Sequence, residues 1–308
     1  MHFHANGKLL ISGEYLVLDG ALALAVPTRF GQNLQVTEGK DGGSLHWRST
    51  DRDGNVWLEE HIQPDDLRKS IDDADTHLIK VLKKAVKLQP GFADEIVGKQ
   101  AIATLGFPDN WGLGSSSTLV SLIAQWSGAD ALRINKKVFG SSGYDIACAQ
   151  SWMPILFRID EEGPVWDSVH FLPPQPEHFC FVHLNQKQNS RDAIAAFRSG
   201  KNKFEKESHI ISEISEALLF CDDFADFLTL LDEHEEVMQF VLQEERVQTA
   251  RFQKFNGVVK SLGAWGGDFV LAGSDMPPAE MHQWFKKQGY ETVLPYTDMV
   301  LMEKPEGK

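Results

Sequence analysis

The sequence predicts a mixed α and β protein, closed by a final helix and strand into an α/β sandwich. Three stretches carry that expectation. Ala21 to Val36 is mostly apolar and β-prone, with Pro27 at an edge or bulge. The strand-like run Gln100 to Leu105 leads through Gly112 and Gly114 into apolar residues at helical spacing, Leu119, Leu122, Ile123 and Trp126. From Ser208 to about Val259 lie long amphipathic helices, marked by Ile210, Ile214 and Leu218 and then by Phe224, Phe227, Leu228 and Leu231. Their carboxylates, such as those of the run Asp232 to Glu236, are expected on the polar face.

The chain of 308 residues is long enough for one large or two ordinary domains. Hydrophobic residues at 42% and charged residues at 24% are the balance of a soluble globular protein. A formal charge of −14 and a pI near 5.2 disfavour a nucleic-acid partner, while leaving room for a local basic pocket. Cys148, Cys180 and Cys221 are widely spaced and form no metal-binding pattern, which fits reduced thiols in the cytoplasm. No apolar run reaches membrane-spanning length, and Met1-His-Phe-His lacks the pattern of a secretion signal. The expectation is a cytoplasmic enzyme or binding protein with neither a membrane nor a nucleic acid as partner.

In chain order, Ala5 to Gly20 reads as an apolar strand, a Ser-Gly turn and a second apolar stretch. Lys8 and Glu14 in it fit either a surface lysine and a turn carboxylate or a ligand site. Ser44–Trp47 and Asn55–Glu59 form a hairpin around the turn Asp51 to Gly54. Thr76 to Leu88 places Leu78, Ile79, Leu82, Ala85 and Val86 on one helical stripe, with its lysines, Lys83 among them, on a solvated face. The organising stretch follows, with Asp109-Asn-Trp-Gly-Leu-Gly-Ser-Ser-Ser117 opening a helix. A helix start presents unpaired N–H groups and the positive end of the dipole, and glycines before it let a phosphate approach the backbone. Gly112, Leu113, Gly114, Ser115, Ser116 and Ser117 are the candidate phosphate cradle, and the Ser116 hydroxyl a candidate Mg²⁺ ligand. An ordinary serine-capped helix fits the same letters. The lysine of a GxxxxGK[ST] loop and the third glycine of a dinucleotide fingerprint are both missing.

Asp145 stands among small residues in Gly140-Ser-Ser-Gly-Tyr-Asp-Ile-Ala147, as a cap, an ion-pair member, or a group that takes a hydroxyl proton. Strands follow at Met153–Asp160 and His178–Asn185, separated by the turn Glu161 to Pro164 and the crossing Pro173 to Pro176. Lys187, Ser190 and Arg191 precede a helix from about Asp192 to Arg198, as an anion site or as a surface turn. The loop Lys260-Ser-Leu-Gly-Ala-Trp-Gly-Gly-Asp268 leads into the strand Phe269–Ala272, and a helix at Pro278–Gln288 and a strand at Glu291–Tyr296 end the chain.

Three of these stretches resemble, in order, the three motifs of the GHMP kinases: Gly7-Lys8 with Gly13-Glu-Tyr15, the Gly-Leu-Gly-Ser-Ser core at 112–116, and the loop 260–268. The form is closest to phosphomevalonate and mevalonate kinases, and Gly-Tyr-Asp-Ile-Ala at 143–147 is similar to a small bacterial branch of that family. The resemblance implies an α+β enzyme of two parts. An ATP-binding half like ribosomal protein S5 domain 2 would take residues 1–165, and a ferredoxin-like half residues 166–308. It implies ATP and Mg²⁺ as cofactors, Lys8 and Asp145 as catalytic residues, and Gly112 to Ser117 on the ATP phosphates. Glu14, Tyr15, Lys187, Ser190, Arg191, Gly263, Ala264 and Gly266 would meet a small anionic hydroxy acid such as mevalonate or phosphomevalonate. Two departures stand out. Leu132 to Lys136 lacks the glutamate that helps hold Mg²⁺ in mevalonate and homoserine kinases, and Trp265 replaces a glycine of the third motif. A diphosphomevalonate decarboxylase-like lyase, a sugar kinase, a non-catalytic nucleotide-binding relative and a scaffold stay open as alternatives, as does a homodimer.

Overall fold

The computed structural model describes residues 1–40, 42–186, 197–198, 204–263, 265 and 267–302. They divide into two compact units. The first comprises Met1–Gly7, Phe30–Asp109 and Leu113–Gln150, and the second Lys8–Arg29, Asn110–Gly112 and Ser151–Lys308. This is not the division at residue 165 expected from the turn at 161–164. The strand at 155–159 pairs with residues 23–25, and residues 8–29 belong with the segment after 150 to the second unit.

In the first unit, strands β1 (His2–Ser12) and β2 (Ala23–Glu38) pair, each running through both units. β3 (Leu45–Thr50) and β4 (Val56–Ile62) form the expected hairpin, whose turn is held by Asp51 accepting from the amides of Asp53 and Asn55. After helices α1 (Pro64–Leu67), α2 (His77–Leu88) and α3 (Phe92–Glu95), strand β5 (Lys99–Leu105) runs parallel to β3 and antiparallel to residues 32–38 of β2. Helices α4 (Ser115–Ser127), α5 (Ala131–Val138) and α6 (Tyr144–Gln150) complete the unit. The core joins Leu34, Val36, Trp47, Ala101 and Ala103 of the strands to Leu78, Leu82, Val120 and Ile123 of the helices. Thr76 caps α2 by accepting from the Ile79 amide. Contrary to the solvated face expected of the α2 lysines, Lys83 is buried, because its ammonium reaches inward to donate to Ser70 O at 2.8 Å.

In the second unit, β6 (Ile155–Ile159) pairs with residues 23–25 of β2, and β7 (Pro164–Ser168) pairs with β6 as an exposed strand. The sequence gives only a turn at the start of β7. A second, antiparallel sheet has the order β11 (Val293–Pro295), β8 (Phe179–His183), β10 (Phe269–Gly273), β9 (Val258–Ser261). Every residue of β8 and β10 is buried. Such two-sided burial explains their unbroken apolar lettering. The expected helical stretch resolves into α7 (Glu205–Phe220), α8 (Phe224–Leu242) and α9 (Val247–Arg251), and α10 (Pro278–Lys287) and α11 (Tyr296–Met299) follow. Phe252, Phe255, Met281 and Phe285 pack on Val182, Val259 and Val270 to make this unit's core. No helix among the described residues is long and apolar enough to cross a membrane.

Candidate active site

The loop before α4 is built around two glycines with positive φ, and the division between the units falls inside it, after Gly112. In the first unit Gly114 takes φ 88° and ψ 47°, a left-handed conformation in which an L side chain is strained. It occupies the N-cap of α4, where no side chain caps the helix. The serines are not the cap that their letters allow: the Ser117 hydroxyl turns back to donate to Gly114 O at 2.8 Å, Ser116 is half-buried and Ser115 is exposed. Thr118 reaches inward to Gln32 Oε1 at 2.7 Å and fixes the first turn to β2. Leu113 is fully buried and anchors the loop. An uncapped start of a 13-residue helix leaves its first amides and its dipole to an anionic ligand.

Asp145 lies in the same unit, in the first turn of α6. Its Oδ1 accepts from the Ser141 hydroxyl at 3.2 Å and from the Ile146 amide at 3.1 Å, and Ser141 Oγ in turn accepts from Asn135 Nδ2 at 2.7 Å. That chain orients a half-buried carboxylate.

In the second unit Lys8, Gly112, Tyr15, Trp265 and Asp268 come together. Lys8 Nζ donates to Gly112 O at 3.1 Å. Gly112, at φ 65°, is pressed against Asp268, so that a Cβ there would fall 2.3 Å from the Asp268 carboxyl. The turn is seated further by His183, whose Nε2 lies 3.0 Å from Asn110 O, and by Trp111 packed edge-on against Phe269. The Trp265 amide donates to the Tyr15 hydroxyl at 3.0 Å. Trp265 itself is buried, with its indole nitrogen donating to Glu245 O at 3.1 Å. Gly263 precedes it with φ 66° and open space where a Cβ would stand.

Glu14 is buried rather than presented to a ligand. Its Oε1 accepts from Lys260 Nζ at 2.7 Å, and its Oε2 lies 3.1 Å from His234 Nε2. Burial alone would raise this carboxyl; the charge and hydrogen bond of the Lys260 ammonium outweigh it and hold the pKa down to about 2. Burial, then Lys260, push His234 below its ordinary value, so the ring is neutral, and its Nε2 accepts from the Gly13 amide at 3.1 Å. Glu235 is 0% exposed, and burial pushes it up to about 8 against the opposing pull of Lys260. These two α8 residues correct the expectation that the run 232–236 stays on the polar face. The buried stripe Phe227, Leu231, Met238, Val241 passes through 234 and 235, and that spacing was the signal available in the sequence.

Of the expected acceptor-binding residues, Lys187, Ser190, Arg191, Ala264 and Gly266 lie outside the described residues, as does most of the helix expected from Asp192 to Arg198. Among the described residues no cluster of three or more His, Cys, Asp or Glu is placed to hold a metal ion.

No protein-family model matches the chain, and no curated protein matches its sequence. Solved structures do match its fold. Phosphomevalonate kinase of Streptococcus pneumoniae, in complex with phosphomevalonate and AMPPNP, superposes with a TM-score of 0.70 at 16% identity, over 95% of this chain and 99% of that one. Mevalonate kinase of Methanococcus jannaschii gives 0.70 at 13% identity over 96% of each chain. Galactokinase of Lactococcus lactis, complexed with galactose, gives 0.64 at 12% identity over 94% of this chain and 88% of that one. With its larger mixed sheet and smaller antiparallel one, this α+β chain has the fold of the GHMP kinases.

Proposed function

We propose that this chain is an ATP-dependent kinase of the GHMP type that phosphorylates a small anionic hydroxy acid, mevalonate or phosphomevalonate. The observation that carries this reading is the start of α4, an uncapped helix end behind a left-handed glycine. Backbone amides from Gly112 to Ser116 hold the ATP phosphates there. Lys8, tied to the same loop through Gly112 O, supplies positive charge to the transferred phosphoryl group. Asp145, oriented by Ser141, positions the acceptor oxygen and takes its proton. A magnesium ion carried on the nucleotide would take the Ser116 hydroxyl as one protein ligand. When bound, the ion neutralises phosphate charge. Gly114 favours a kinase over the ATP-dependent decarboxylase alternative, whose loop typically reads Gly-Leu-Ala-Ser-Ser; at φ 88° an alanine would be strained.

The acceptor assignment draws support from the motif form and from the similarity to a phosphomevalonate kinase. A galactokinase has the same fold, so the fold does not choose between an acid and a sugar. Cytoplasmic action and Lys187, Ser190 and Arg191 as the acceptor's anion site belong to the same proposal. The test is ADP release with mevalonate, phosphomevalonate, other small hydroxy acids and galactose, alongside calorimetry of ATP binding. Turnover with a mevalonate-type acid is expected. ATP binding without turnover on any acceptor, or galactose as the best acceptor, rejects the assignment.

A further inference from the structure

Four ionisable side chains are buried together in the second unit, and the chemistry above gives a direct role to none of them. Glu14 sits in the turn after β1, Lys260 on β9, and His234 and Glu235 on α8. Glu14 is 2% exposed and the other three 0%. Lys260 Nζ spans Glu14 Oε1 at 2.7 Å and Ser261 O at 2.9 Å. Glu14 Oε2 and His234 Nδ1 have no hydrogen-bond partner among the described residues, and the Glu235 carboxyl faces Ser261. Such a cluster is a poor way to gain stability, since the desolvation of a buried ion pair offsets its attraction and an apolar replacement serves as well. What an ion pair adds is direction. This one links two loops that also touch at a second point. The turn of Glu14 carries Tyr15, Gly263 and Trp265 follow the end of β9, and the Trp265 amide donates to the Tyr15 hydroxyl.

We propose that Glu14 and Lys260 are positioning residues: their buried pair fixes the turn of Tyr15 to β9 and the Gly263 and Trp265 that follow it, and so aims the segment that receives the acceptor. His234 and Glu235 form its neutral surround. Glu235 is protonated near neutral pH, with its carboxyl up at about 8. With His234 also neutral, the cluster carries one negative and one positive charge. The acceptor arm of this inference rests on the kinase reading; the link between the two loops does not.

The test separates aiming from mere stability. Glu14→Gln or Lys260→Met alone leaves an unpaired buried charge, and each is expected to lower Tm sharply. The double variant Glu14→Gln with Lys260→Met removes both charges and is expected to recover most of the lost Tm. In that folded double variant, amide exchange at Trp265 is expected to rise by ~10-fold or more. KM for the acceptor should rise by ~10-fold while KM for ATP stays within about 2-fold of the parent. Tyr15→Phe, which keeps the ion pair and drops the hydroxyl, should speed Trp265 exchange with Tm unchanged. A double variant with parental exchange at Trp265 overturns the proposal. So does one that fails to fold, because the pair then holds the unit together rather than aiming a segment. If no acceptor is turned over, the kinase reading fails, and the exchange measurement still decides whether the pair links the loops.

Discussion

At Gly112 the backbone of one motif accepts a hydrogen bond from Lys8 and leaves room for the carboxyl of Asp268, itself at φ 53°. A methyl group would have to displace that carboxyl and also sit at a positive φ, which costs about 1–2 kcal/mol for an L residue before any clash. Gly112→Ala is therefore expected to lower Tm. Adding Asp268→Gly, which removes the obstructing carboxyl and relieves a second positive φ, should restore part of the loss. No recovery in the double variant would mean that the contact is not the constraint. Gly114→Val is expected to weaken ATP binding by ~10-fold or more in calorimetry, since a branched residue is strained at that φ and fills the approach to the amides. Asp145→Asn should keep ATP binding and lose kcat by roughly two to four orders of magnitude, because an amide keeps the Ser141 hydrogen bond and cannot take a proton. Near-parental turnover would leave Asp145 as the cap of α6.

The elements differ in how openly the sequence shows them. α2 announces itself through Thr76 at its cap and a stripe of apolar residues, and the hairpin β3–β4 through Asp51 in its turn. Both depend on neighbours a few residues apart. β7 does not show in the sequence because a short exposed strand has no alternating apolar face to betray it. The helix start behind Gly112 and Gly114 is legible because two glycines ahead of a serine run mark a turn that opens a helix. The Glu14–Lys260 pair is not, because its partners are 246 residues apart. His234 and Glu235 look like any polar run until α8 is rolled onto its buried stripe. The segment ahead of Arg198 gives a prediction at this scale. Lys187→Ala with Arg191→Ala should raise KM for the acceptor by about 10-fold and leave KM for ATP unchanged, as expected when uniform substrate binding is lost. Initial-rate kinetics with both substrates varied would show it; a parental acceptor KM removes that anion site.

For the whole molecule, the buried carboxyls set opposing dependences on pH. Glu235 holds its proton to about 8 in the folded chain, against an ordinary value of 4.5, so between those values the native state binds more protons than the unfolded one. Stability from this group therefore falls as pH rises from 4.5 to 8, by an amount on the order of a few kcal/mol. Glu14 acts the other way. Its depressed value stabilises above 4.5, and that contribution is lost as pH falls toward 2. Urea unfolding of the parent and of Glu235→Gln at several pH values isolates the first effect. The difference between the two should tilt toward the variant as pH rises, and a difference that does not move with pH would show that Glu235 does not hold its proton.

Strand β2 has a further consequence, for how this chain can change length. Its residues 23–25 are in register with β6, and its residues 32–38 with β5. From Gln32 onward burial alternates, with Leu34 and Val36 turned inward and Asn33 and Gln35 outward. One residue gained or lost at 26–31 would shift the phase of everything after it, and either Leu34 and Val36 would face water or the register with β6 would slip. A gain of two would keep the phase. The spacing between the two registers can thus change only in steps of two, however freely the amino acids within it are exchanged, and sequence drift should erase the letters of β2 long before it alters its count.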